Sequence, residues 1–232
     1  MVWMNRIRDA RVRVISAAVL LAAGGVLLGL AGCEGTTQSS GQGAELAPGR
    51  AANSKAEVGL DVGARVPEAE LRTAGDKPVM LSSLYKDGPL VLVFIRGGWC
   101  PYCTGSLAGW DKKLEGLKEA GASLVVITPE KPDRHEAMLQ KHSLHMRVLS
   151  DAKLDAARGF GLLYTLDEAT RKKYGGYGVD LPSRNVTGTW ELPHPATYVI
   201  DRDGTIRYAF ARKDYTVRAE PAEVVGAVQM VK

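Results

Sequence analysis

Cysteine is scarce in this 232-residue chain: three residues, Cys33, Cys100 and Cys103. Three cysteines cannot build the framework of a small disulfide-stapled scaffold, and a chain of this length buries a conventional core without one. Long apolar runs are also missing beyond the N-terminal segment, which excludes a multi-span membrane protein. Excess charge is absent too. Of the formal net charge of +4, +3 comes from Arg6, Arg8, Arg11 and Arg13 less Asp9. The remainder carries only +1, so no basic footprint for nucleic acid is left. No internal repeat is visible. What remains is an ordinary globular composition, 45% hydrophobic and 24% charged, with an odd number of cysteines to explain.

The basic segment is followed by an apolar run from Val14 to Leu30 and then Leu30-Ala31-Gly32-Cys33. Basic, apolar and small residues in that order make a secretory signal. The last four residues resemble the lipobox of bacterial lipoproteins, whose cysteine becomes the acylated first residue of the mature chain. The resemblance implies a signal peptide over 1–32, lipidation at Cys33 and an exported, membrane-anchored protein facing the periplasm or the cell exterior. Two or three acyl chains anchor stably, at about 0.8 kcal/mol per buried methylene. An uncleaved anchor and a plain secretory signal are the alternatives. Residues 33–58, rich in Gly, Ser, Gln, Thr and Ala, cannot bury enough apolar surface to offset their ordering and read as a flexible tether. Residues 59–232 suit a single domain.

Within that domain Leu90 to Ile95 is continuously apolar and β-branched, as a strand buried on both faces must be. Leu107, Trp110, Leu114 and Leu117 then recur at helical spacing, with Gly121 as a stop. Leu124 to Ile127 is a second buried strand, and strand, helix and strand in this order form a right-handed parallel crossover. A helix from Pro132-Asp133 to about Lys141 leads to a third parallel strand at Arg147 to Leu149. Ala196 to Ile200 and Thr205 to Phe210 flank Asp201-Arg202-Asp203-Gly204 and read as an antiparallel hairpin. A last helix starts at Pro221. Thr165 and Glu168 have the spacing of a capping box, which predicts a helix from about Leu166 to Tyr174. Tyr164, Tyr174, Tyr177 and Trp190 are expected to pack on the core or to line a pocket mouth. The fold class is therefore α/β, a mixed central sheet with helices on both faces.

Cys100-Pro101-Tyr102-Cys103 follows a buried strand and opens a helix. Free N–H groups and the helix dipole stabilise a thiolate there, lowering a cysteine pKa from about 8.5 into the range of roughly 3.5 to 7.5. The spacing puts both sulfurs on one turn, within reach of a disulfide. A redox-active pair is the leading reading. A structural disulfide closing so short a loop would constrain little of the unfolded chain. A zinc site completed by His142 and His145 is the other alternative; otherwise no cofactor is expected.

From about Gly59 to Val231 the chain resembles the alkyl hydroperoxide reductase and thiol-specific antioxidant family, in its peroxiredoxin-like branch. The resemblance rests on Phe94-Ile95-Arg96-Gly97-Gly98-Trp99-Cys100-Pro101-Tyr102-Cys103 and on Trp190-Glu191-Leu192-Pro193-His194-Pro195-Ala196-Thr197-Tyr198-Val199-Ile200-Asp201. It implies a thioredoxin-like fold and an antioxidant oxidoreductase cycling Cys100 and Cys103 between dithiol and disulfide. A hydroperoxide would be the substrate and an external dithiol the reductant. A thioredoxin-like exchange enzyme acting on the disulfides of exported client proteins is the alternative, and a non-enzymatic zinc-binding lipoprotein a lesser one. Pro195 matches the position of the cis-proline that faces the dithiol in thioredoxin-like proteins. The departures matter as well. Peroxiredoxins carry Pro-x-x-x-Thr-x-x-Cys, whose threonine orients the peroxide and whose cysteine attacks it. This chain has Arg96, Cys100 and Cys103 at the three fixed positions, so Cys103 sits in the place of the peroxidatic sulfur, while Cys100 replaces the threonine and matches the attacking thiol of thioredoxins. No clear match exists for the arginine that polarises the peroxide, and Phe94 stands where many thioredoxins place a buried carboxylate. Glu130 is a substitute base if it is not a solvated loop acid, and Arg96 is expected to lower a thiolate pKa. With Trp99, these residues form the expected surroundings of the pair.

Overall fold

Leu90–Phe94 is apolar at every position because it separates two cores. Val91 and Val93 point into one, Leu90, Leu92 and Phe94 into the other. The computed structural model describes residues 56–231, so the expected signal peptide, the Cys33 lipidation site and nearly all of the expected tether lie outside the described residues.

In chain order the elements are β1 (Glu70–Arg72), β2 (Pro78–Met80), β3 (Leu90–Phe94), α1 (Pro101–Asp111), α2 (Leu114–Glu119), β4 (Ser123–Thr128), α3 (Asp133–His142) and β5 (Arg147–Ser150). There follow α4 (Asp155–Gly159), β6 (Leu163–Thr165), α5 (Glu168–Gly176), α6 (Leu181–Arg184), β7 (Glu191–Pro193), β8 (Ala196–Ile200), β9 (Ile206–Ala211) and α7 (Pro221–Gln229). Seven strands form one mixed sheet in the order β2-β1-β5-β4-β3-β8-β9. β3, β4 and β5 are parallel, with Val93 opposite Val126 and Val126 opposite Val148. β8 runs antiparallel to β3 and forms the expected hairpin with β9. The fold is α/β with a mixed central sheet, as the pattern of apolar runs requires.

Leu107, Trp110 and Leu117 from α1 and α2, with Val224 and Val228 from α7, fill one core. The other holds Ala156 and Ala157 of α4, Phe160, Tyr198 and the apolar side chains of the stretch from Ala56 to Val66. Phe94, Phe160 and Tyr198 meet there with centroids 4.9 to 6.2 Å apart. Ala56 and Val58, from the sequence read as tether, pack against this core, and Glu57 N–H donates to the Ala211 carbonyl.

Three local expectations are corrected. The amphipathic run from Leu107 to Leu117 is two helices, because Lys113 N–H closes on the Trp110 carbonyl, three residues back, and the helix restarts at Leu114. The glycine stop holds, Gly121 taking a φ of 73°. The cap of α5 is Asp167, whose carboxylate accepts from Thr170 N–H at 2.7 Å; Thr165 is instead held in β6, opposite Glu191 of β7. Finally, the peptide before Pro195 is trans, since the described residues contain no cis bond. Pro195 only continues the extended chain from β7 into β8, a course that the commoner X-Pro isomer serves.

Candidate functional site: a buried dithiol between two arginines

The parallel strands β3 and β4 deliver their C-terminal ends to one edge of the sheet, where open α/β folds place their chemistry. From β3 the chain runs through Ile95 and Arg96, turns at Gly97-Gly98-Trp99, and enters α1 with Cys100 as the residue before the first helical position. Pro101 starts the helix, where its missing N–H has no intrahelical role. Gly97 adopts a φ of 147°, and a Cβ there would collide with the Trp99 indole and stand 2.9 Å from Glu130 Cδ. The turn therefore needs glycine for both conformation and space.

Cys100 and Cys103 are both free thiols, 2% and 0% exposed. The two sulfurs titrate as one unit. A hydrogen bond from Cys103 lowers the Cys100 pKa to about 6, against the opposing effect of burial; the Cys103 backbone N–H, Arg96 and then Arg218 add to the lowering. The same hydrogen bond, with burial and repulsion from Cys100, pushes Cys103 well above the ordinary thiol value, opposed by Arg218. The shifts run in opposite directions and favour the thiolate at Cys100, the sulfur in the thioredoxin attacking position, with the proton held at Cys103.

Arg96 is 1% exposed, with Nη1 4.0 Å from Cys100 Sγ. Its guanidinium lies among the rings of Tyr215, Trp99 and Tyr174, at 4.1, 5.1 and 5.5 Å from their centroids. Nε and Nη2 have no hydrogen-bond partner among the described residues. Burial raises the Tyr164 pKa, and the nearby guanidinium opposes that rise. A second arginine was not anticipated. Arg218, from the segment ahead of α7, donates Nη2–H to Cys103 Sγ at 3.6 Å. It lies 115 residues from Cys103, and no local motif marks it.

Glu130 is no solvated acid. It is 3% exposed, accepts from Gly98 N–H at 2.6 Å, and sits 3.7 Å from Arg184. Burial raises its pKa, against the Gly98 bond and Arg184. Glu130 thus clamps the turn that carries Arg96 and Cys100. Trp99 packs edge-on against Tyr174 at 5.4 Å. By strand register Pro195 lies one step beyond the Phe94–Ala196 pair, beside the chain leaving β3. The aromatic segment divides: Tyr174 is buried, Tyr164 stacks on His194 at 4.3 Å, Trp190 lines a cleft with Arg171 and Val179, and Tyr177 is exposed.

The zinc set is not assembled. His145 is engaged by Asp111, ring Nδ1 to Oδ2 at 3.1 Å, and no group of three or more potential metal ligands occurs among the described residues.

Known proteins resemble this chain in sequence and in fold. A model of the AhpC/TSA family matches residues 62–209. Chloroplastic peroxiredoxin Q of Sedum lineare is 28% identical over 148 residues, covering 64% of this chain and 67% of that protein. Its counterpart in Triticum aestivum is 30% identical over 144 residues, covering 62% and 56%. Peroxiredoxin Bcp of Bacillus subtilis is 24% identical over 147 residues, covering 63% and 82%. The match thus spans little more than half to two thirds of these plant relatives. Among solved structures, peroxidoxin BcpB from Mycobacterium tuberculosis superposes with a TM-score of 0.58 at 21% identity, over 74% of this chain and 97% of that one. A peroxiredoxin-like protein from Aquifex aeolicus gives 0.59 at 19% identity, over 75% and 89%.

Proposed function

This chain belongs to the AhpC/TSA family, and from that membership and its dithiol we propose that it is a thiol-dependent peroxidase cycling Cys100 and Cys103. The observation that carries the reading is the buried Cys100 sulfur with Arg96 Nη1 4.0 Å away. A thiolate attacks the O–O bond of a hydroperoxide: an S–O bond forms, the O–O bond breaks, and the departing alkoxide takes up a proton as an alcohol. Cys100 becomes a sulfenic acid. Cys103 condenses with it, forming the S–S bond and releasing water. The free Nε and Nη2 donors of Arg96 suit a peroxide oxygen that gains charge as the O–O bond breaks. They take the place of the arginine missing from the family pattern.

An external dithiol returns the two electrons by thiol–disulfide exchange. Exchange with a client protein's disulfide as the principal activity fits less well, because the attacking sulfur is 2% exposed. The peroxidase reading is tested by stopped-flow mixing of the reduced protein with hydrogen peroxide, in wild type, Cys100→Ser and Cys103→Ser. The expected result is fast oxidation of wild type, sulfenic acid in Cys103→Ser and no reaction above that of a free thiol in Cys100→Ser. Free-thiol rates in wild type would overturn it.

We also propose that the enzyme acts at a membrane surface, tethered by acyl chains on Cys33. The support is the order of arginines, apolar run and Leu-Ala-Gly-Cys in the sequence. Mass spectrometry of the mature N-terminus checks this, and an unmodified Cys33 in membrane-extracted protein is the contrary result. An exported dithiol faces an oxidising compartment, so its reductant must be supplied across the membrane.

A further inference from the structure

Cys103 has a task for which the reduced site is badly arranged. To close the disulfide it must attack as a thiolate, yet it is wholly buried and its S–H is committed to the Cys100 thiolate. Arg96 serves the other sulfur. The cation in contact with Cys103 is Arg218, whose Nη2 donates to Sγ at 3.6 Å. Its Nη1 donates to the Val217 carbonyl at 2.9 Å and to that of Tyr215, so the guanidinium is fixed by its own backbone. Nε is buried with no partner among the described residues. Such anchoring holds a charge at a sulfur that, in the reduced enzyme, carries none.

We propose that Arg218 acts on Cys103 in the second chemical step, holding its sulfur as the resolving nucleophile only after Cys100 has been oxidised. This inference rests on the peroxidase reading. Before oxidation the pair has one negative charge, on Cys100, and Cys103 keeps its proton. Conversion of Cys100 to the neutral sulfenic acid removes both the acceptor of the Cys103 S–H bond and the repelling charge. Burial still opposes a Cys103 thiolate, and Arg218 remains to stabilise it. Cys103 then gives up its proton and attacks the Cys100 sulfur. The S–S bond forms, the S–O bond breaks, and hydroxide leaves with that proton as water; the two electrons lost by the thiol pair are those gained by the peroxide. The order of events is set by where the charge sits, and prompt resolution keeps the sulfenic acid from passing to the irreversible sulfinic acid.

The test uses the reduced full-length chain with one equivalent of hydrogen peroxide. Sulfenic acid is trapped with a cyclic 1,3-diketone and disulfide is followed by mass spectrometry, for wild type, Arg218→Gln and Arg218→Lys across pH. In Arg218→Gln the rate of disulfide formation is expected to fall about tenfold further than the rate of sulfenic acid formation, with the pH midpoint of resolution about one unit higher. Arg218→Lys, which keeps the charge, is expected to recover most of that loss, and circular dichroism verifies folding. Equal slowing of both steps or an unmoved resolution profile in Arg218→Gln, or a loss in Arg218→Lys as large as in Arg218→Gln, would overturn the role of Arg218. A wild type that forms no sulfenic acid and consumes no peroxide would instead overturn the peroxidase reading and this inference with it.

Discussion

Cys100 Sγ and Arg96 Nη1 face each other at 4.0 Å where neither side chain reaches solvent, and they stand only four positions apart in the chain. The end of a buried strand and the start of a helix are joined by a turn tight enough to fold the cation back over the thiol. Thiolate and guanidinium neutralise each other in a site from which water is excluded, where charge pairing is far stronger than at a surface.

Alkylation of Cys100 by iodoacetamide should rise with pH about a midpoint near 6 and level off above it, since the thiolate is the reactive form. The hydrogen bond from Cys103 is the larger cause and Arg96 the smaller. Cys103→Ala is therefore expected to move the midpoint up further than Arg96→Gln does. The reverse ranking would place the electrostatics above the sulfur–sulfur bond.

Gly97→Ala should disable the site. Its φ of 147° is strained for any L side chain, and the added methyl meets both the Trp99 indole and the Glu130 carboxyl. A loss of about 1–3 kcal/mol in urea denaturation is expected, with peroxide reactivity falling toward that of a free thiol. Retention of both would mean that the turn adapts.

Glu130→Leu removes the acceptor of Gly98 N–H and the partner of Arg184. An unsatisfied buried donor costs about 1–3 kcal/mol. Glu130→Gln retains an acceptor oxygen and should lose less. Chemical denaturation of the two variants side by side is the check, and equal losses would show that the charge, rather than the Gly98 bond, is what counts.

His135 makes stability depend on pH. It is 1% exposed, Nε2 lies 3.1 Å from Ser150 Oγ, and burial lowers its pKa to about 4. The folded state then binds fewer protons than the unfolded one below the ordinary value of 6.5. Stability is full above 6.5 and is lost as pH falls from 6.5 to about 4, by an amount on the order of 3 kcal/mol. The buried Glu130 and Asp151, whose pKa values are raised, oppose this in the acid range. Comparing wild type with His135→Gln isolates the histidine: the variant's stability should vary less between pH 6.5 and 5.

The central strands were readable because burial on both faces leaves no polar position in Leu90–Phe94 and little choice in β4 and β8. Cys100 and Cys103 were readable because their chemistry depends on position along one strand and one helix. β1, β2, β6 and β7 are three residues each, too short for any alternation to register, and β2 and β7 contain proline. Thr165 looked like a cap because the spacing of its sequence neighbours is right, but pairing with Glu191 keeps it in a strand and leaves the cap to Asp167. Glu130 had no local sign of burial; its partners Gly98 and Arg184 come from distant parts of the chain. Arg218 is the extreme case, joined to Cys103 only by the return of the chain after β9.

The aromatic cover of the dithiol also bears on what can reach it. Tyr215 lies across Arg96, and Tyr102, itself half exposed, stands edge-on to Tyr215 at 5.7 Å. A diatomic fragment such as the O–O group needs little room to reach the sulfur, whereas the thiol of another protein needs the tyrosines out of its way. On the proposed peroxidase reading the two half-reactions therefore differ in access: oxidation needs only a small molecule to reach the sulfur, and reduction needs room for another protein's thiol beside Tyr102 and Tyr215.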